Sequence, residues 1–282
     1  MFPRPFFRPN PPRLHRRKRV TIIAGFQCTD GILVCSDTEE SISGAVIKSH
    51  AHKAAVYSFG RVTVCVAGAG DTELINYVTQ DLRKFFIKVA CDWDAIEIAL
   101  NKYAKRIFAE NIQVFAGLGD APHVSFLLAV SMEKECRLFK WEKNFVYILH
   151  PQQHTSIGIG AIQSEALLSE IQFFYPAQQM FFFAVRMMQK VKQLVEGCGG
   201  KTEVIFLQTG GKNSYWYPTY VINDAEHLAD MVDEFVTNDV LSFISNIQKT
   251  SKEESEKDLR IHRRVVVELR EKYLKILPGD LQ

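Results

Sequence analysis

The chain has 282 residues, 47% hydrophobic and 23% charged, the balance of a globular protein and not of a disordered or fibrous one. No apolar run reaches the ~20 residues that span a bilayer, since the richest, Met180 to Val185, is broken at Arg186. The net charge of +2 hides an asymmetry: Met1 to Arg19 holds seven Lys and Arg and no acid, leaving 27 basic against 32 acidic residues elsewhere.

That first segment, residues 1–19, also carries five of the ten prolines and reads as a flexible, solvated leader or propeptide. The apolar stretch after it, Thr21 to Phe26, is too short for a signal-peptide core, and no small-residue cleavage pattern follows. No aromatic-interleaved basic face accompanies the leader, so neither specific nucleic acid nor membrane is an expected partner. The six cysteines lack any C-x-x-C spacing and read as buried thiols in a reducing cytoplasm.

From Val20 the pattern becomes strand. Val20 to Phe26 and Ile32 to Cys35 flank the turn signal Asp30-Gly31, which predicts a hairpin. Further strands are predicted at Ala45 to Lys48, Lys53 to Phe59 and Val62 to Ala67. Next, Leu74, Ile75, Val78, Leu82, Phe85, Phe86 and Val89 recur at helical spacing, and a second helix opens at Asp92 with Ile96, Ala99, Leu100, Tyr103 and Ile107 on one stripe.

Strands return at His123 to Met132, Cys136 to Trp141, Phe145 to Leu149 and Thr155 to Ile159. Helices follow at Ser164 to Phe174, ended by Pro176, and at Ala177 to Glu196, stopped by Gly197. Strands at Thr202 to Gln208 and Tyr215 to Ile222 complete one domain over residues 20–223. This order predicts an α+β fold, a four-layer αββα sandwich in which two helical layers cover two stacked sheets. Residues 224–282 form a C-terminal helical extension, with amphipathic helices over Ala225 to Asn246 and Ser251 to Leu277.

Three polar residues fall at equal steps in the first strands: Thr21, Asp37 and Lys53, each sixteen residues apart. With Thr21-Ile22-Ile23-Ala24, Asp30 to Asp37 and His52-Lys53 in this register, the chain resembles a proteasome β-type subunit of the N-terminal-nucleophile hydrolases from about Val20 to Val221. The resemblance implies a threonine peptidase. After leader removal the Thr21 hydroxyl would attack a carbonyl, its free α-amine would take the proton, Lys53 would lower proton affinity around the hydroxyl, and Asp37 would hold the ammonium. It also implies Gly68 as the source of an oxyanion N–H and Cys198 in the supporting turn.

Family serines are replaced: Ile159 and Cys198 stand where supporting hydroxyls are expected, and Glu196 is at best displaced from a family aspartate. Val20 stands where precursors of that family place glycine before the threonine. No metal or organic cofactor is implied; His50 and His52 have no third ligand at suitable spacing. The implied partners are a peptide or protein substrate, other copies of the chain in a ring or dimer, and an unfoldase. Two alternatives stay open: a catalytically inactive structural subunit that keeps its leader, and a small-molecule amidohydrolase.

Overall fold

The structure, a computed structural model, describes residues 17–19, 21–42, 48–88, 92–115, 121–150, 153–169, 175–210 and 214–234, with backbone alone at 17–19, 41–42 and 48. The leader before Arg17, most of the strand expected at Ala45 to Lys48, and the C-terminal helical extension beyond residue 234 lie outside these residues. The chain divides into two compact units, Met1–Trp216 and Tyr217–Gln282.

The first unit opens with a short strand β1 (Arg17–Arg19) and the predicted hairpin of β2 (Ile22–Cys28) and β3 (Gly31–Asp37). A second hairpin, β4 (Glu39–Ile42) with β5 (Lys48–His50), precedes β6 (Ala54–Phe59) and β7 (Val62–Asp71). Helices α1 (Thr72–Lys88) and α2 (Trp93–Asn111) follow, started by local carboxylates: Asp71 accepts from the Leu74 amide at 3.1 Å and Asp92 from the Ala95 amide at 2.9 Å. Then come β8 (Val124–Met132), β9 (Glu135–Glu142), β10 (Phe145–Ile148), β11 (His154–Gly158), α3 (Ala161–Leu168), α4 (Ala177–Leu194), β12 (Thr202–Gln208) and β13 (Ser214–Trp216).

The strands form two sheets. One runs β11-β2-β3-β12-β13; the other runs β10-β9-β8-β7-β1-β4-β5, with β6 also paired to β7. Alternation along β7 and β8 assigns the core. Val62, Val64, Val66, Phe126, Leu128 and Val130 face one way, into a cluster shared with Leu74, Val78, Leu82, Leu100 and Ile107 of α1 and α2. Cys65, Ala67, Ala69, Leu127 and Ala129 face the other way and meet Ile23, Ile32, Val34 and Ile205 of the second sheet. The small side chains let the sheets close on each other, while the branched ones fill the space under the helices. On the far face of the second sheet, α3 and α4 pack on β2, β3, β11 and β12. The four-layer αββα sandwich is therefore the fold of this unit.

Some elements differ from the expectation. Pro218 cuts the last strand, expected to reach Ile222, so β13 ends at Trp216 and helix α5 (Thr219–Glu234) begins directly after it. Within that second unit, Val221, Ile222, Ala225, Leu228 and Ala229 recur at helical spacing along α5. Helix α3 begins at Ala161 rather than Ser164, because the Ser164 amide already donates to the Gly160 carbonyl at 3.0 Å. The largest difference is at the leader. Its last three residues, expected to be solvated, are a strand inserted between β7 and β4, where two sheet edges offer backbone partners to any extended segment whatever its side chains.

Candidate active site

Thr21 lies just before β2, Asp37 ends β3, and Lys53 precedes β6; the hairpin and the stacking of the sheets bring all three together. Each is buried, at 0%, 0% and 2% exposure. The Thr21 hydroxyl donates to Asp37 Oδ1. Lys53 Nζ donates to the same oxygen at 2.7 Å, and the Ile22 amide donates to it at 3.0 Å. The remaining oxygen, Oδ2, accepts from the Gly199 amide at 3.0 Å. A carboxylate carrying four donors is fixed in position, and it in turn fixes the hydroxyl and the ammonium.

The Gly199 amide and the end of β11 are parts of the site that the sequence did not single out as contacts. Gly158 has φ +94°, and a side chain there would begin 2.2 Å from the Thr21 carbonyl oxygen. That oxygen also accepts from the Gly160 amide at 3.4 Å. Only glycine adopts this backbone and leaves room for it, so the Gly158 turn is a clamp on Thr21. The signal was present in the runs Ser156 to Ala161 and Glu196 to Gly200, but glycines mark a close approach without naming what approaches.

Cys198 supports the turn by packing, its sulfur lying beside Gly160, while the contact to Asp37 is made by the next residue's backbone. Burial, and then the negative charge of Asp37, push the Cys198 thiol up to about 12, so it is a neutral filler at physiological pH. Gly68 stands next to Lys53, but its amide donates to the Lys53 carbonyl at 3.1 Å in the β6–β7 ladder. It can serve an oxyanion only if that bond opens. Ile159 is largely exposed, and Glu196 is exposed as well. Of the two histidines, His50 bonds the Thr38 hydroxyl and His52 bonds Glu203.

The arrangement can hold a hydroxyl, a proton acceptor and a cation within one buried cluster. Thr21 Oγ1 already donates to a carboxylate oxygen, so its proton has somewhere to go when it attacks a carbonyl. With residue 20 attached, the Thr21 nitrogen is a peptide nitrogen and no amine base exists; Asp37 is then the acceptor at hand.

The fold is that of proteasome-like α+β sandwiches. Solved structures that it resembles include Anbu (ancestral beta-subunit) from Yersinia bercovieri, 13% identical with a TM-score of 0.61, over 77% of this chain and 97% of that one. An Anbu (Gly-1) mutant from Hyphomicrobium sp. strain MC1 matches at 10% identity and TM-score 0.59 over 77% and 97%. The helical assembly of the Anbu complex from Pseudomonas aeruginosa matches at 15% and 0.58 over 76% and 96%. No family model and no curated protein matches the chain by sequence.

The expectation of a proteasome β-type subunit is thereby corrected. These neighbours are Anbu proteins, a related but distinct group, and identities of 10–15% carry the fold without a catalytic threonine. In this fold the approach to β2 at Thr21, the end of β3 at Asp37 and the entry to β6 at Lys53 come together, and that meeting by itself assigns the chain to no one branch of the architecture. Among the described residues, no helix is long and apolar enough to cross a membrane.

Proposed function

We propose that the chain is an amide hydrolase in which Thr21 is the nucleophile. The observation that carries this reading is the buried Thr21–Asp37–Lys53 cluster, in which one carboxylate oxygen receives both the hydroxyl and the ammonium. Such a cluster is expensive to maintain in a fold that makes no use of it, because a buried ion pair contributes little net stability.

Thr21 Oγ1 adds to the substrate carbonyl, the C–N bond breaks as the amine leaves with a proton, and water hydrolyses the resulting ester. The first such bond is the chain's own Val20–Thr21 peptide; its cleavage frees the Thr21 amine, which is a base in later turnovers. Peptides are the favoured substrates over small amides, because the slot holding β1 already accommodates extended backbone directly before Thr21. A homo-oligomer is the proposed assembly; one neighbour of like fold is described as a helical assembly. The five described cysteines are free thiols, which supports a cytoplasmic location.

A second reading, an inactive scaffold subunit of a proteasome-like assembly, is favoured by one observation: the leader strand is seated and Thr21 has no exposed surface. Intact mass with N-terminal sequencing separates the two. Chains beginning at Thr21, labelled there by a threonine-directed β-lactone and unlabelled in Thr21→Ala, support the hydrolase. Chains that keep Met1 to Val20 after long incubation, or equal labelling of wild type and Thr21→Ala, leave the scaffold.

A further inference from the structure

Asp37 receives donors from two directions, and the residue after it grips both of the segments that supply them. On one side, the turn of residues 197–201 brings the Gly199 amide to Oδ2 at 3.0 Å. On the other, the segment from His50 leads into Lys53, whose Nζ donates to Oδ1 at 2.7 Å. Thr38 is bonded to each. Its hydroxyl accepts from the Lys201 amide at 2.9 Å and lies 3.1 Å from His50 Nδ1, and its carbonyl accepts from the Ala51 amide at 2.9 Å. A hydroxyl has one proton and two lone pairs, so it can accept from Lys201 and donate to His50 at once.

The turn needs such a hold. Gly197 and Gly200 have φ of +90° and +71°, so Cys198 and Gly199 are carried between two left-handed residues, ahead of the ladder that starts where Thr202 pairs with Asp37. The Glu39 amide donates to the Gly199 carbonyl at 3.1 Å. With the Lys201 bond, the peptide units on both sides of Gly200 are therefore tied to residues 38 and 39. Lys192 of α4 also donates to the Gly200 carbonyl, at 3.3 Å, but a long flexible side chain fixes a backbone less closely than a short hydroxyl does. The fit is tight: a Cβ on Gly200 would begin 2.6 Å from the Thr38 hydroxyl oxygen and 2.8 Å from His50 Nδ1. Thr38 is buried, and an amide left there without its acceptor is costly, so loss of the hydroxyl should move the turn.

We infer that Thr38 is a positioning residue for the Thr21 hydroxyl. It touches no reacting atom. It acts through the 199–201 turn, which holds Asp37 Oδ2, and so sets the direction in which Oδ1 meets Thr21 and Lys53. The effect on chemistry rests on the hydrolase reading; the hold on the turn does not.

The test compares two variants of the full chain: Thr38→Val, which keeps the shape and removes the hydroxyl, and Thr38→Ser, which keeps the hydroxyl and loses the methyl. With a threonine-directed β-lactone, Thr38→Val should lower the maximal rate of Thr21 labelling about tenfold and leave the half-saturating concentration nearly unchanged. Thr38→Ser should stay within about twofold of wild type. A residue that only stabilised the fold would give labelling that follows stability in both variants. Amide exchange read by NMR reports on the turn itself, and Gly199 and Lys201 should exchange about tenfold faster in Thr38→Val than in Thr38→Ser. Where wild type labels, equal labelling rates in the two variants overturn the inference, and so does equal exchange at Gly199. If Thr38→Val does not fold, Thr38→Ala takes its place with the same expectation. Wild type alone supplies a further check, since a Lys201 amide that exchanges as fast as in an open chain also overturns it. If wild type labels at Thr21 and the variants do not differ, only this inference falls; if exchange differs as stated and Thr21 is never labelled, only the hydrolase reading falls.

Discussion

Lys53 Nζ stands 2.7 Å from Asp37 Oδ1 with both side chains at 0% exposure, and the oxygen between them also receives the Thr21 hydroxyl. One atom thus ties the would-be nucleophile to a buried cation, and any change to the pair reaches the hydroxyl.

Lys53→Met should therefore separate stability from chemistry less cleanly than a surface change would. Removing the ammonium leaves Asp37 buried without its counter-charge, which costs about 3–5 kcal/mol in comparable buried pairs. Chemical denaturation should show that loss. Replacing both partners, Asp37→Asn with Lys53→Met, should recover part of the stability but none of the Thr21 reactivity toward a β-lactone.

Gly158→Ala should damage the site without touching a polar side chain. The new methyl would begin 2.2 Å from the Thr21 carbonyl oxygen, in a backbone conformation at φ +94° that L residues resist. A loss of at least about 1–3 kcal/mol is expected from the strain alone. Thr21 labelling should fall with it, whereas an alanine at Gly60, whose added Cβ meets nothing within 4 Å, should leave labelling intact despite its own positive φ.

Val20→Gly should raise the fraction of chains that begin at Thr21. Attack by the Thr21 hydroxyl on the preceding carbonyl needs a tight local turn that a β-branched residue resists and glycine adopts freely. Time-resolved intact mass checks this: equal rates of leader loss in the two proteins would show that the turn is not what limits cleavage.

Stability should decline on the alkaline side. Burial raises the Cys28, Cys35, Cys65 and Cys198 thiols from 9.0 to about 12 in the folded chain. The unfolded chain therefore ionises first. The contribution is fully present below pH 9 and is lost as pH climbs from 9 towards 12, with a slope of up to about 1.4 kcal/mol per pH unit for each thiol. Urea unfolding at pH 7, 9 and 10 should show a much steeper fall per pH unit in the second interval than in the first, and Cys65→Ala should make that fall shallower.

Much of the fold could be read directly from the residues. The Asp30-Gly31 hairpin, the alternation in Val62 to Ala67 and the helical stripes of α1 and α2 are local patterns, and local patterns are set by backbone geometry. The equal spacing of Thr21, Asp37 and Lys53 was legible too, and the structure joins all three through one oxygen. The branch of the architecture was not legible, because the spacing of three residues locates where they meet and not which relatives share the fold.

What the sequence by itself determined were the elements, their layer order and the polar triplet, since periods of two and 3.6 residues and capping side chains act over a few neighbours. What only the tertiary structure decided was which backbone groups meet Asp37, that Gly158 closes on Thr21, that the Gly68 amide is used by Lys53, and that Arg17–Arg19 becomes a strand. Each of these depends on segments far apart in the chain coming within hydrogen-bond distance. Arg17–Arg19 carry no strand signal of their own; they become a strand because β4 and β7 stand one strand apart and leave their edges open to them.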